Sequence, residues 1–142
     1  MRHRIYVHVT WTTRQRALLI DDRIAQFLRR FLSAVAQQER ARIIEIGIVR
    51  SHLHLLVRLH PTTSIPRLLQ RFKGASATLA NRERHAEGSE LKWAKGYNID
   101  SVSERAVDRV RKYIRAQPQR HPAEAIRVAE DPPPAPVALG DS

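Results

Sequence analysis

Two histidines, His52 and His54, stand two residues apart in a stretch that has the pattern of a β-strand. Side chains two apart on a strand share a face, so both imidazoles project from one side of residues 50–59. The opposite side carries an aliphatic row, formed by Leu53, Leu55, Val57 and Leu59. A buried row would anchor the strand and place the imidazoles to ligate one metal ion, although a half-exposed polar face is the plainer interpretation.

Tyr113 and Gln117 could complete such a site from the C-terminal third of the chain. They are four residues apart and therefore project from the same side of a helix. Two imidazole nitrogens and the Gln117 carbonyl oxygen would suit Mg²⁺ or Mn²⁺, with water and phosphate oxygens completing the shell. Tyrosine attack on a phosphate polarised by that ion gives a phosphotyrosine, which suits cutting and rejoining of DNA. A tyrosine beside an apolar stripe is also a common core-edge residue.

The composition indicates one basic domain that binds nucleic acid. The chain has 142 residues, 42% of them hydrophobic, which is enough for one core without disulfides. Its net charge is +11 and arginine outnumbers lysine, a balance that suits phosphate contacts and base stacking. An organism with an Arg-rich proteome would explain the arginines but not the excess of positive charge.

Several classes of protein are excluded by what the sequence lacks. Without cysteine there is no cysteine nucleophile or zinc ribbon, and a metal site must use nitrogen and oxygen ligands. The first residues do not resemble a signal peptide, and no run of about 18 apolar residues is present to span a membrane. We therefore expect a cytoplasmic protein without a membrane partner.

The first strand and helix follow from side-chain periodicity. Residues 4–11 alternate, which predicts a half-buried strand with His8 on its polar face, either beside the histidine pair or in solvent. Asp21 or Asp22 is predicted to cap a helix that runs to about Arg40 on an apolar stripe.

The next segments predict a strand pair and a second helix. Residues 42–49 are β-branched and apolar, and a break at Arg50-Ser51 separates them from the histidine strand. The two segments either pair antiparallel through a tight turn near Gly47 or form one long bent strand. Ser64 is predicted to cap a helix with Pro66 in its first turn. The small residues of 73–78 would let another helix, or a DNA strand, approach closely.

The stretch before the last helix admits two interpretations. Residues 81–90 are polar and predict a loop. Residues 91–99 interleave Trp93 and Tyr97 with lysines, which favours either base stacking beside phosphate contacts or a last core strand with its lysines in solvent.

A last helix carries the tyrosine and the glutamine. Ser103 is predicted to cap it, and Pro118 and Pro122 to end it. The organisation that results is one domain over residues 1–122, followed by a Pro-rich, disordered tail over 123–142.

Short motifs along the chain carry a resemblance to one protein family. They are Trp-Thr-Thr-Arg at 11–14, Ser-His-Leu-His-Leu-Leu-Val at 51–57, Arg-Phe-Lys-Gly-Ala-Ser at 71–76, Gly-Tyr at 96–97 and Tyr-Ile-Arg-Ala-Gln at 113–117. In this order they make the chain resemble the single-tyrosine HUH transposases of small bacterial insertion sequences, and relatives associated with repetitive extragenic palindromes. The resemblance covers roughly residues 4–122.

The resemblance implies an α+β fold with helices packed on a single antiparallel sheet, an RNA-recognition-like or ferredoxin-like HUH fold. His52 and His54 would be the HUH histidines, Gln117 the third ligand of Mg²⁺ or Mn²⁺, and Tyr113 the nucleophile. The substrate would be single-stranded DNA beside a hairpin, and cleavage would leave a 5′-phosphotyrosine and a free 3′-hydroxyl. Family members are dimers in which the tyrosine helix of one subunit can serve the histidines of the other.

One departure concerns the residue before the first histidine. Family members commonly carry Asp there, and this chain has Ser51. Carboxylates beside metal-bound imidazoles orient them, so the exchange is expected to weaken metal binding without removing a ligand. His121 is a candidate counterpart of a histidine near the end of the tyrosine helix in relatives, and we assign it no role.

The leading hypothesis is a metal-dependent DNA strand transferase that acts in transposition. Its candidate DNA contacts are Arg14, Arg71, Lys73, Lys95, Arg109 and Lys112. The alternative is a non-catalytic DNA-binding regulator derived from a transposase, which would not need Tyr113, Gln117 and the histidine pair together. A replication or relaxase-type nickase shares the chemistry, but such chains are usually longer.

Overall fold

Four strands form one antiparallel sheet at the centre of the molecule. The computed structural model describes residues 4–83 and 90–126. The strands are β1 (Ile5–Thr12), β2 (Arg42–Ile48), β3 (His52–Leu59) and β4 (Asn98–Val102). Their order across the sheet is β2-β3-β1-β4, so the histidine strand β3 is an inner strand with β1 beside it. The predicted single antiparallel sheet is therefore confirmed.

One face of the sheet packs against helices and forms the core. The helices on this side are α1 (Asp22–Gln38), α2 (Ile65–Gln70) and α3 (Ser76–Glu83), and a π-helical turn at Arg71–Ala75 joins the last two. Alternate strand residues point into this layer, because successive side chains of a strand face opposite ways. The largest side chains buried there include Trp11, Leu28, Leu32, Leu53, Leu55 and Phe72.

The second face, which we term the histidine face, carries His8, Thr10, His52 and His54. The register of β1 against β3 puts Thr10 directly opposite His54, so side chains of both strands meet there. The helices that follow the sheet in sequence are α4 (Val107–Arg115) and α5 (Gln117–Arg120). Helix α4 contacts β2 and β3, and it therefore lies over the histidine pair.

Gly47 lets helix α4 approach the sheet closely. A Cβ atom on Gly47 would lie 2.2 Å from the backbone oxygen of Ile114, which is closer than any non-bonded contact allows. Nearby, the carboxylate of Glu45 accepts a hydrogen bond of 2.9 Å from Arg115. Gly47 also pairs in register with His54. The glycine thus sets the height of the tyrosine helix directly beside one of the two histidines.

The caps predicted at Asp21 and Ser64 and the strand pair are confirmed, but the position of one turn was wrong. The carboxylate of Asp21 accepts the Ile24 amide at 2.9 Å, and Ser64 caps α2 in the same manner. Strands β2 and β3 pair antiparallel, which excludes one long bent strand. Their turn closes where the Val49 amide donates to the carbonyl of His52, because Gly47 is used for helix packing instead.

Two predictions for the stretch after α2 need correction. Helix α3 continues to Glu83, so the helical pattern extends into the predicted loop over 81–90, and residues 84–89 lie outside the described part. The core strand considered for residues 91–99 begins only at Asn98, as β4, and before it Trp93 makes an isolated bridge with Thr13.

The last predicted helix is divided into two. Helix α4 ends at Arg115, and Pro118 lies in the first turn of α5, where a missing amide hydrogen costs nothing, instead of ending the helix. Ser103 begins a 3₁₀ turn and makes no side-chain cap. A further 3₁₀ turn covers Pro122–Glu124, and the remainder of the predicted tail from residue 127 onward lies outside the described residues. Within the ranges described, no helix combines the length and apolar character that a membrane span requires.

Candidate active site

His52 and His54 lie side by side beneath the tyrosine helix. Their ring centroids are 5.3 Å apart, and their exposed fractions are 5% and 7%. They are therefore not the half-exposed polar pair of the plainer interpretation. Buried imidazoles require hydrogen-bond partners or a bound ion, because burying a polar group without either costs free energy.

On the β1 side, His54 is held by two neighbours across the strand pair. Its Nδ1 atom lies 2.9 Å from Nε2 of His8 and 3.1 Å from Oγ1 of Thr10. The prediction that His8 approaches the pair is confirmed, because β1 is the strand next to β3. A hydrogen on Nδ1, donated to these neighbours, would leave the Nε2 lone pair of His54 free to bind an ion.

On the opposite side, His52 is held by its own neighbour in sequence. The Nδ1 atom of His52 is 3.1 Å from the hydroxyl oxygen of Ser51. That hydroxyl donates in turn to the carboxylate of Glu124, which reaches the site from the turn after α5. The Glu124 oxygen itself is 3.9 Å from His52 Nδ1, so the serine stands between them.

Gln117 brings its amide group to both imidazoles. The side chain is fully buried, and its Oε1 atom lies 3.3 Å from Nε2 of His52. Its Nε2 atom donates to the backbone carbonyl of Tyr113 at 3.3 Å, which fixes the amide with its oxygen towards the histidines. The same side chain is near enough to His54 to oppose the lowering of that histidine's pKa by burial. The break between α4 and α5, at Ala116, precedes this inward-facing residue.

Tyr113 stands at the open side of the site. Its ring meets the His54 ring edge to face, with centroids 5.6 Å apart and planes at 85°. A similar contact of 6.0 Å joins it to His8, and the guanidinium of Arg120 lies 4.7 Å above its ring. The tyrosine is 37% exposed, so a substrate can reach it while the three buried groups remain covered.

A cavity of about 490 Å³ opens beside the tyrosine. Its lining includes three cationic side chains, those of Arg109, Lys112 and Arg120, together with Tyr113. Cationic side chains that line one cavity are suited to a phosphate group, because charge-assisted hydrogen bonds to phosphate oxygens are strong. The predicted DNA contacts Arg109 and Lys112 thus lie next to the predicted nucleophile.

The electrostatics of the site keep its imidazoles neutral. Burial lowers the pKa of His54 to about 3, and the neighbouring histidines add to the effect. Burial likewise lowers the pKa of His52 and that of His8, although Asp100 acts in the opposite direction on His8. At neutral pH the rings therefore carry free lone pairs, which is the form that binds metal ions.

The donor atoms fit a divalent ion. Adjacent ligands of an octahedral ion bound at about 2.1 Å lie about 3 Å apart, and His52 Nε2 and Gln117 Oε1 are separated by 3.3 Å. With the hydrogen of His52 on Nδ1, donated to Ser51, these two facing atoms would both be acceptors, and a cation between them would satisfy both. Among the described residues no group of three His, Cys, Asp or Glu side chains could hold a metal, so the amide is needed as third donor.

The other predicted DNA contacts have different surroundings. Arg71 forms an ion pair of 2.7 Å with Glu39, and the ammonium of Lys73 donates to the carbonyls of Ala94 and Gly96. Both side chains therefore have partners within the protein. Arg14 and Lys95 are exposed, and their binding to DNA stays a prediction.

Sequence reasoning missed other charged groups at the site. Arg16 lies close enough for its charge to lower the pKa of His52, and it sits with Gln15 in a turn where both have positive φ angles, of 54° and 57°. Arg120 could have been noticed, since it follows Gln117 by one helical turn. Nothing in the sequence indicated Glu124, because its contacts depend on a chain reversal seen only in the fold.

Solved structures define the class of fold. A candidate transposase from Deinococcus radiodurans R1 matches with a TM-score of 0.65 and 25% identity, over 82% of this chain and 93% of that chain. A REP-associated tyrosine transposase bound to a REP hairpin matches with a TM-score of 0.63, over 85% of this chain and 70% of that chain. At 13% identity the second likeness concerns the fold alone. The predicted α+β HUH fold is confirmed.

The chain belongs to the IS200-like transposase family, whose sequence pattern matches residues 1–117. A relative, the ISDra2 transposase TnpA of Deinococcus radiodurans, is 28% identical over 120 residues, which cover 81% of this chain and 85% of the relative. The resemblance stated from the motifs is thereby confirmed. Family membership implies DNA-processing enzyme activity and supports a role in transposition.

Proposed function

We propose that this protein cleaves and rejoins single-stranded DNA beside hairpins, with Tyr113 as the nucleophile. The observation that carries the proposal is the convergence of four side chains from distant parts of the chain, namely His52, His54, Tyr113 and Gln117. A protein that only binds DNA needs no neutral, buried imidazole pair beside an exposed phenol. The alternative of a non-catalytic regulator lacks an explanation for this arrangement.

The reaction exchanges one phosphodiester for another. The hydroxyl oxygen of Tyr113 attacks phosphorus and forms a P–O bond, while the bond from phosphorus to the 3′ oxygen breaks. The phenol proton leaves to solvent, to which Tyr113 is open, and the departing oxygen takes up one proton as a 3′-hydroxyl. Attack by another 3′-hydroxyl on the 5′-phosphotyrosine reverses the step and joins two strands without an external energy source.

The residues around the tyrosine position the phosphate. The cavity is lined by Arg109, Lys112 and Arg120, which would hold the oxygens of the phosphate. The guanidinium of Arg120 also restrains the phenol ring of Tyr113. His52, His54 and Gln117 would hold Mg²⁺ or Mn²⁺, which when bound polarises and orients the scissile phosphate. Burial of these three ligands excludes competing water from their neutral lone pairs.

Two further features are proposed from the family. The REP-associated relative of the same fold is bound to a hairpin, which supports a hairpin substrate for this chain. We also propose a homodimer acting in the cytoplasm, where bacterial DNA lies.

The test is an assay for a covalent protein–DNA adduct. Single-stranded hairpin DNA from the flanks of the protein's own gene is incubated with the protein and Mg²⁺ or Mn²⁺, and separated on denaturing gels. We expect an adduct with either metal, none after EDTA, and none with Tyr113→Phe. Tyr97→Phe is the matched control, because Tyr97 is exposed to a similar extent, 40%, outside the site.

Two results would overturn the proposal. An adduct that persists in Tyr113→Phe would assign the nucleophile to another residue. Specific binding of the hairpin, demonstrated by a shift in its mobility, without any adduct in either metal would favour the regulator instead.

A further inference from the structure

A carboxylate from the end of the described chain reaches the base of the histidine strand. The Ser51 amide donates to Oε1 of Glu124 at 3.1 Å, and the Ser51 hydroxyl donates to the same oxygen. The Arg50 amide binds the Glu124 backbone carbonyl at 3.0 Å, so the turn is anchored by its main chain as well. Glu124 is 75% buried in its side chain, since its exposed fraction is 25%.

These contacts determine whether the Ser51 hydroxyl donates a hydrogen bond to His52 or accepts one from it. A hydroxyl has one hydrogen, and a carboxylate can only accept it. Once that hydrogen points to Glu124, the Ser51 oxygen can only accept from Nδ1 of His52, 3.1 Å away. His52 is then held with hydrogen on Nδ1 and with its Nε2 lone pair towards Gln117 Oε1.

Without Glu124 the opposite tautomer would be favoured. The Ser51 hydrogen would turn to Nδ1, and the hydrogen of His52 would move to Nε2, where Gln117 Oε1 at 3.3 Å would accept it. A protonated Nε2 cannot ligate a metal ion. The Glu124 carboxylate thus determines whether His52 can ligate a metal ion or instead donates its Nε2 hydrogen to Gln117.

We infer that Glu124 is a positioning residue for the metal site, acting through Ser51 to hold His52 in its ligating tautomer. The inference deepens the proposed function and rests on it for the identity of the ion. It explains why the chain tolerates Ser51, where the sequence predicted weakened binding: the serine and Glu124 together provide the outer carboxylate. Glu124 itself lies beyond residues 1–117, the part of the chain that the family pattern matches.

The first test reads the tautomer directly in the metal-free protein. Two-dimensional ¹⁵N–¹H NMR of the imidazole rings is expected to show His52 with hydrogen on Nδ1 in the wild type. Glu124→Ala and Ser51→Ala should both shift it to Nε2. Glu124→Gln should keep the wild-type tautomer, because its amide oxygen still accepts the serine hydrogen.

The second test measures Mn²⁺ affinity by calorimetry without DNA. We expect Glu124→Ala and Ser51→Ala each to weaken binding by about tenfold or more, as for other outer groups of metal-bound histidines. The double variant should be no weaker than either single one, because both break the same chain of hydrogen bonds. Adding Ser51→Asp to Glu124→Ala should restore the affinity, since an aspartate there places a carboxylate oxygen near Nδ1.

The controls separate positioning from folding. Glu104→Ala removes an equivalent charge that pairs with Arg4 at the start of β1, and should change neither readout. Ser51→Ala keeps the bonds from the Arg50 and Ser51 amides that anchor the C-terminal turn, so it tests the inference even if Glu124→Ala unfolds. An unchanged tautomer in Ser51→Ala, or failure of Ser51→Asp to restore Mn²⁺ binding, would overturn the role of Glu124. Absence of Mn²⁺ binding in the wild type would instead count against the proposed metal, while the NMR result would still decide the inference.

Discussion

At the scale of single residues, the partners of a side chain decide its role more than its charge does. Lys73 and Lys95 were predicted together as DNA contacts. The structure ties Lys73 Nζ to the carbonyls of Ala94, at 2.7 Å, and Gly96, at 2.6 Å, and burial lowers the pKa of its ammonium group. Lys95 is exposed on the loop between these two acceptors. Lys73 is thus held by main-chain carbonyls, whereas the side chain of Lys95 is open to solvent.

This contrast predicts opposite effects of two matched substitutions. Lys73→Met should lower the free energy of unfolding by about 1–3 kcal/mol, because two charge-assisted hydrogen bonds to main-chain carbonyls are lost. Lys95→Met should leave the thermal midpoint unchanged and weaken binding to a single-stranded oligonucleotide. If Lys95 contacts one phosphate, the salt dependence of that binding should lose about one unit of slope.

Thermal melts measure the stability of the two lysine variants, and fluorescence anisotropy at several salt concentrations measures their binding to the oligonucleotide. A Lys73→Met variant with full stability and a reduced salt slope would make Lys73 the DNA contact instead.

At the scale of elements, one glycine couples the sheet to the tyrosine helix. The close approach of Gly47 to Ile114 leaves no room for a side chain, and the adjacent register position is His54. Because Tyr113 precedes Ile114 directly, any displacement of α4 changes where the phenol stands relative to the imidazoles. Because packed helices move as rigid units, a shift at Ile114 also moves the side chain of Tyr113.

Gly47→Ala is therefore expected to slow adduct formation strongly while it lowers the free energy of unfolding only moderately. Overpacking at this contact should cost about 1–3 kcal/mol of unfolding free energy, while a misplacement of the nucleophile by about 1 Å can cost about 100-fold in rate. Gly74→Ala is the matched control, because nothing lies within 4 Å of a Cβ there and alanine favours helix. Single-turnover adduct kinetics beside thermal melts measure the two effects. Equal rates in the two variants would show that α4 tolerates the displacement.

At the scale of the whole molecule, periodicity predicted individual strands and helices, whereas the contacts between distant segments became visible only in the fold. Alternation identified β1 and β3 because residues that face the core recur at every second position along a strand. It could not place Glu124 beside Ser51, since 73 residues separate the two and no local pattern reports that contact. The turn predicted near Gly47 failed for a similar reason, because the glycine serves a helix that is distant in sequence. Motif order identified the candidate site, whereas contacts between distant segments determine how its members are held.

The arrangement of the whole chain also bears on how two subunits would share their sites. Within one chain the Tyr113 ring already contacts His54, at 5.6 Å between centroids, so each subunit contains a complete set of groups. We therefore expect that mixing Tyr113→Phe with His54→Ala yields no adduct, because neither chain combines its own tyrosine with its own histidine pair. Co-expression of the two variants, with chains distinguished by size, and adduct gels on the purified mixture check this. An adduct on the His54→Ala chain would show that the tyrosine helix serves the partner subunit, and that α4 leaves the position seen here during the reaction.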